Sequence, residues 1–182
     1  MRQRVLVCLF TVLLAGPALA DQNDPELGSL FDNLRNTRDP VAAAPIEARI
    51  WDLWFEHDNP DANRLMQLGL AQMNTNAPQA AVATFTQLIE LEPEFAEAWN
   101  RRATLYYLLG DYAASKADVD QVLKLEPYHF AALSGLGLVH LALHEYFQAR
   151  SAFNAALEIN PSMQGVRENL RQLEGLLQER AI

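Results

Sequence analysis

The chain has 182 residues, half of them hydrophobic, with 14 basic residues against 23 acidic and a formal net charge of −9. No basic patch stands ready to release counterions, which argues against nucleic acid and anionic lipid as partners. The one cysteine, Cys8, cannot support a disulfide framework within the chain.

The first twenty residues read as an address rather than as structure. "MRQR" supplies positive charge, "VLVCLFTVLLAG" is apolar but short, and "PALA" places Ala18 and Ala20 where signal peptidase needs small residues. An uncleaved anchor would need an apolar run nearer twenty residues. The expectation is cleavage after Ala20, export to the periplasm, and a mature chain from Asp21 to Ile182. Cys8 leaves with the leader, so the mature chain holds together by packing and is not a thiol enzyme. No second long apolar run follows, so no membrane insertion is expected after cleavage.

Residues 21–61 predict a helical hairpin. Asp24-Pro25 and Asp39-Pro40 each pair an N-cap with proline at a helix start. Leu27, Leu30, Phe31 and Leu34 share one face of the first helix. Ile46, Ile50, Leu53 and Trp54 share one face of the second, with 36–44 as a polar connection. The hairpin is expected to be the degenerate first member of a stack.

Three phrases then match: "LIELEPEF", "VLKLEPYH" and "ALEINPSM", with prolines at 93, 127 and 161. A period of 34 marks a helix-turn-helix solenoid. The units run 62–95, 96–129 and 130–163. Their fourth place holds Leu65, Trp99 and Leu133; their eighth, Gly69, Ala103 and Gly137; their twentieth, Ala81, Ser115 and Ala149; their twenty-fourth, Phe85, Val119 and Phe153. Small residues let the paired helices approach, large ones fill the gap, and proline ends the second helix. The first unit has Asn76-Ala77-Pro78 where the second has Gly110-Asp111-Tyr112, so its turn is expected to differ. Met163, Val166, Leu170, Leu173 and Leu177 form the stripe of a last helix, with 164–182 as the cap that covers the last repeat. The expected fold is all-α, a superhelix of about four hairpins and a cap, with nine helices and no sheet.

Trp99, Tyr106, Gly110, Asp111, Tyr112 and Pro127 make this pattern resemble the tetratricopeptide repeat family. With the "IWDLWFE" hairpin included, the whole resembles the small exported members found in Gram-negative bacteria. The resemblance implies a right-handed superhelix whose first helices line a concave groove. It places Asn63, Met66, Leu70 and Met73 in that groove, with Glu97, Asn100, Thr104, Tyr107 and Leu108, then Ser134, Leu138 and Leu141. This lining is mostly apolar and lacks the Lys/Arg/Asn set with which some members clamp a C-terminal carboxylate. It suits an apolar peptide or amphipathic helix, so the implied role is a non-catalytic scaffold without cofactor. A lipid, peptide or cell-wall fragment is the alternative occupant. The chain's own N-terminal segment, or a second copy in a homodimer, would also fill the groove.

Two arginines interrupt the middle repeat. Arg102 takes the seventh place, held by Leu68 and Leu136 in the other units, and Asp118 stands where they have Thr84 and Ala152. A buried guanidinium needs a partner, so an Arg102–Asp118 bridge is expected; snorkelling to water is the alternative. Arg101, one position round, is expected on the surface or stacked near Tyr107 or Trp99. His140 and His144 have helical metal-ligand spacing, but Glu145 is expected to point elsewhere and no third ligand follows. Trp51 and Trp54 read as core of the terminal hairpin. No serine has a matching His/Asp pattern, and no glycine loop suits a phosphate.

Overall fold

The computed structural model describes residues 24–179; the leader expected at 1–20 lies outside them. Among the described residues there are nine helices: α1 (Glu26–Arg35), α2 (Pro40–Phe55), α3 (Pro60–Asn74), α4 (Pro78–Leu91), α5 (Ala96–Leu108), α6 (Tyr112–Leu125), α7 (Phe130–Ala142), α8 (Tyr146–Ile159) and α9 (Gln164–Glu179). None of them is long and apolar enough to cross a membrane.

Local chemistry sets the helix ends. Asp24 accepts from the Glu26 N–H at 2.7 Å and Asp39 from that of Val41 at 3.1 Å. Each satisfies a donor that a first turn leaves orphaned. Asn59, Asp111 and His129 do the same for α3, α6 and α7. The hairpin turns share one conformation: Asn76, Gly110 and His144 all take a positive φ, at 57°, 81° and 60°. The first turn is therefore not shaped differently, despite its proline. Asparagine tolerates the left-handed region almost as glycine does, and the Ala77 N–H bonds back to the Gln72 carbonyl as Asp111 does to Tyr106.

The helices α3–α4, α5–α6 and α7–α8 pair as three hairpins, and neighbouring hairpins stack through α4–α5 and α6–α7. Ring fits notch within them. Phe85 lies over Gly69 and Phe153 over Gly137, all four buried, so closely that a Cβ on either glycine would meet the ring at 2.5 or 2.3 Å. The middle repeat makes the same contact with the smaller step of Val119 against Ala103. There Ser115 also donates to the Ala103 carbonyl at 2.8 Å. The helix α9 lays Val166, Leu170, Leu173 and Leu177 on α8 and closes the third core.

The N-terminal hairpin departs from the expected stack. Outside itself its main neighbours are α8 and α5, not α3 and α4. Leu27, Phe31, Leu34, Ile50, Leu53 and Trp54 form a core with Phe130 of α7 and Ile159 of α8. The helix α2 runs back across the superhelix along the proline turns. It starts near 160–163, where Asn160 and Ser162 donate to Glu47 at 2.9 and 2.7 Å. Its last turn, at Phe55, abuts the first repeat's core. The aromatic side chains explain the choice of place: stacking on α3–α4 would leave Trp51 and Trp54 without the ring partners they find at 129–130.

Candidate partner-binding groove

The first helices of the repeats carry the expected groove residues, and α2 divides them into two sets. Under α2 lie the starts of α5 and α7. Glu97 and Met66, expected as lining, are each 1% exposed, and Asn100 is 8% exposed. Glu97 and Met66 are corrected to buried residues, because α2 and the neighbouring helices cover them, whereas Asn100, though largely buried, keeps its place on the groove. Asn63 donates to the His57 carbonyl at 2.7 Å and so belongs to the link between α2 and α3.

Glu97 anchors a buried polar cluster that spacing alone did not reveal. Its carboxylate accepts from Arg101 at 2.5 Å, from Asn100 at 2.9 Å and from His129 Nε2 at 3.1 Å. His129 Nδ1 accepts the Ala132 backbone N–H at 3.1 Å, so in the neutral ring Nε2 carries the proton and donates. Burial pushes Glu97 up, but His129 and Arg101 outweigh it and hold the carboxyl below its usual range. The His129 ring stacks on Trp54 at 4.0 Å and 7° between planes. Arg101 lies over Phe55 at 4.9 Å and Trp51 at 5.5 Å. Arg101 is thus no ordinary surface residue: it joins α5 to α2. Glu97 and His129 have no exposed side-chain surface, so this cluster holds the hairpin down and offers no reacting atom to solvent. A signal did exist in the sequence, a glutamate at a place shared with Asn63 and Ala131.

At Glu126, in the adjoining proline turn, burial raises the carboxyl above its usual range against the Tyr128 N–H, which lowers it.

Beyond α2 the groove is open. A small cleft of about 80 Å³ lies between α5 and α7, walled by Asn100, Ala103, Thr104, Tyr107, Ala131, Gly135 and Leu138 over a floor of Ser115 and Val119. No charged residue lines it. Leu108 is 68% exposed at its far end. Ser134, Leu138 and Leu141 are half-buried on α7, the two leucines against the third core. Leu70 and Met73 are half-buried against the first core.

Arg102 and Asp118 form a bidentate pair, with Nε and Nη2 each 2.8 Å from a carboxylate oxygen. Nη1 reaches Thr86 Oγ1 of α4 at 3.0 Å, so one guanidinium ties three helices and two repeats. Trp99 and Tyr106 flank it at 5.0 and 5.7 Å. The Asp118 hydrogen bond raises the arginine's pKa further. The seventh place is not uniformly buried, however: Leu68 is 48% exposed. His140 Nδ1 contacts Glu145 at 2.6 Å and His144 Nδ1 contacts Tyr146 at 3.1 Å. Glu145 therefore faces His140, contrary to expectation, and the two imidazoles have separate partners. No group of three or more metal-ligating side chains occurs among the described residues.

Comparison with known proteins agrees with this architecture. A family model described as a tetratricopeptide repeat matches residues 66–115 and 101–163. A TPR repeat-containing protein of Rhizobium etli is 33% identical over 147 residues, covering 81% of this chain and 72% of that protein. A small glutamine-rich tetratricopeptide repeat-containing protein of Mycosarcoma maydis is 24% identical; the match covers 80% of this chain and less than half, 44%, of that one. The first TPR of Spaghetti, solved with an HSP90 peptide, superposes with a TM-score of 0.65 at 21% identity, covering 66% of this chain and 96% of that one. The Sgt2 TPR domain of Aspergillus fumigatus gives 0.64 at 22% identity, covering 68% and 83%. With the 34-residue period, the notched hairpins and the matched family model together, the chain belongs to the tetratricopeptide repeat family.

Proposed function

We propose that the protein is a non-catalytic, exported scaffold that binds an uncharged, apolar segment of another protein in the open half of its concave groove. The uncharged cleft between α5 and α7 carries this reading. Stacked hairpins hold it open before a partner arrives, so little ordering entropy opposes binding. Related folds solved with Hsp90 or Hsp70 peptides support a peptide-sized occupant. The Hsp90 peptide SRMEEVD and the Hsp70 peptide SGPTIEEVD end in aspartate, whereas no cation lines this cleft, so the partner presents apolar side chains rather than a terminal carboxylate. The polar clusters found, at Glu97 and at Arg102, serve packing.

Gly135 supplies the test. A Cβ there meets nothing within 4 Å, so Gly135→Arg introduces a long cation at the cleft with no clash at its first side-chain atom. Mature protein immobilised with an envelope extract is expected to retain a defined protein that Gly135→Arg and Leu138→Glu both lose. Recovery of the same proteins by all three would refute the groove assignment. The alternative reading, a small ligand in the same cleft, predicts instead a retained molecule in native mass spectrometry of the purified protein.

A further inference from the structure

The 31st place of each repeat closes its second helix at the proline turn and holds Glu92, Glu126 and Asn160. The segment crossing the turns engages two of the three: Asn59 Nδ2 donates to Glu92 at 2.6 Å, and Asn160 Nδ2 donates to Glu47 at 2.9 Å. Glu126 has no such partner. Its Oε1 accepts the Tyr128 backbone N–H at 3.2 Å. The Trp54 indole N–H lies near enough to favour its ionised form, yet makes no hydrogen bond. Glu126 is only 6% exposed. Of the described buried carboxylates, Glu97 and Asp118 each pair with an arginine, whereas Glu126 enters no ion pair. Enclosing a carboxylate without a cation is costly.

Glu126 lines an open cleft of about 390 Å³ between α1 and the middle proline turn. This cleft shares no lining residue with the one between α5 and α7. Asp24 and Asp32 line it from α1 and its cap, eight residues and about 12 Å of helical rise apart. Carboxylates so spread do not close on one metal ion, and no group of three or more metal-ligating side chains occurs among the described residues. They suit an elongated organic cation, for which Leu27, Phe31 and Tyr128 supply an apolar wall. Arg35 shows the chemistry the wall accepts: its guanidinium pairs with Asp32 at 2.9 Å and lies over the Tyr128 ring at 4.8 Å. Three carboxylates face that one arginine, so the lining stays net negative.

We propose that this cleft binds an organic cation, a guanidinium carried on an apolar stem, with Glu126 as its counter-charge. The guanidinium comes either from a free small molecule or from an arginine side chain of another protein. The ligand supplies the ion pair that the fold withholds from Glu126, and the strain of holding that carboxylate empty is a cost in stability borne for binding. Gly28 lines the same cleft, and a Cβ there would meet nothing within 4 Å, which leaves room for the stem beside Leu27 and Phe31. The site is separate from the α5–α7 groove, so the uncharged partner proposed there and this cation are different ligands.

Calorimetric titration of the full chain tests this with three probes: argininamide, the peptide acetyl-Gly-Arg-Gly-amide, and the same peptide with uncharged citrulline in place of arginine. Argininamide is expected to bind and the citrulline peptide is not. Binding of the arginine peptide as well assigns the site to a protein side chain; binding of argininamide alone assigns it to a free small molecule. Glu126→Gln keeps the shape of the side chain and is expected to weaken binding at least tenfold. Gly28→Leu, which fills the cleft, is expected to do the same and keeps the test decisive should either variant unfold by circular dichroism. Glu158→Gln removes the same charge from an exposed site on α8 and is expected to leave affinity within about twofold, because a distant exposed charge is screened. No binding of argininamide or of the arginine peptide would overturn the proposal. So would equal affinity for wild type, Glu126→Gln and Gly28→Leu, which would assign the attraction to net charge alone. The Gly135→Arg chain is expected to bind argininamide as wild type does, so failure of the groove reading and failure of this one are distinguishable.

Discussion

Two glycines on α7, two residues apart, make opposite predictions. Alanine in place of glycine inside a helix gains about 1 kcal/mol from propensity, and both substitutions share that term. At Gly135 the new methyl meets nothing within 4 Å, whereas at Gly137 it meets Phe153 Cε1 at 2.3 Å and Cδ1 at 2.4 Å. Phe153 has no exposed surface, so its ring cannot swing to solvent. Forcing an extra carbon into such a site costs about 1–3 kcal/mol. Because the propensity gain cancels, the difference between the two variants isolates that packing cost. For a chain of this size each kcal/mol moves the melting temperature by about 2–4 °C. Thermal unfolding followed by circular dichroism is therefore expected to place Gly137→Ala roughly 2–12 °C below Gly135→Ala. Gly69→Ala, whose methyl would meet Phe85 at 2.5 Å, is expected to behave like Gly137→Ala. Melting points for the two α7 variants within a degree of each other would refute the notch-and-ring account of the hairpins.

The Arg102–Asp118 pair, with side chains 13% and 6% exposed, is expected to lose about 3–5 kcal/mol in Asp118→Ala, because a buried guanidinium is then unpaired. Chemical denaturation should show the double variant Arg102→Leu/Asp118→Ala, which copies Leu136 and Ala152 of the third repeat, recovering most of that loss; a double variant as unstable as the single would contradict it. Glu97 is held below its usual range in the folded chain, so its contribution is present above the unfolded carboxyl's range and is lost as pH falls through the lower folded value. Denaturation midpoints from neutral to acidic pH should drop less steeply in Glu97→Gln than in wild type, and parallel curves would count against the cluster. Glu126 has the opposite sign: its raised pKa makes ionisation costly in the folded state, so Glu126→Gln should raise the neutral-pH melting temperature, and a lowered one would reverse that reading.

Much of the architecture was legible because it is local and periodic. The prolines at 93, 127 and 161 fix the turns, and the glycine–phenylalanine steps fix each hairpin. The Arg102–Asp118 pairing could be posed from sequence because both residues break a pattern inside one hairpin. The position of α1–α2 could not. Its contacts join Trp54 to His129 and Glu47 to Asn160, far apart in the chain and outside any repeat. Helical spacing showed that Trp54 needed burial, but not which surface supplied it. Two groove positions were misjudged for the same reason. Repeat positions place Glu97 and Met66 on lining helices, yet exposure depends on what lies across them. The first turn misled differently: Pro78 suggested a new shape, while Asn76 reproduced the left-handed step that Gly110 makes.

Hydrogen exchange on the full chain, wild type against Trp54→Ala, most directly tests the claim that the N-terminal hairpin lies across the proline turns and leaves the distal groove open. The account predicts that protection is lost in α1 and α2 and at the starts of α5 and α7, where Glu97, Arg101, His129 and Phe130 meet the hairpin, while α3 and α4 keep theirs. Loss centred on α3 and α4, with α5 and α7 unchanged, would mean that the hairpin stacks at the end of the superhelix and that the groove is open along its whole length.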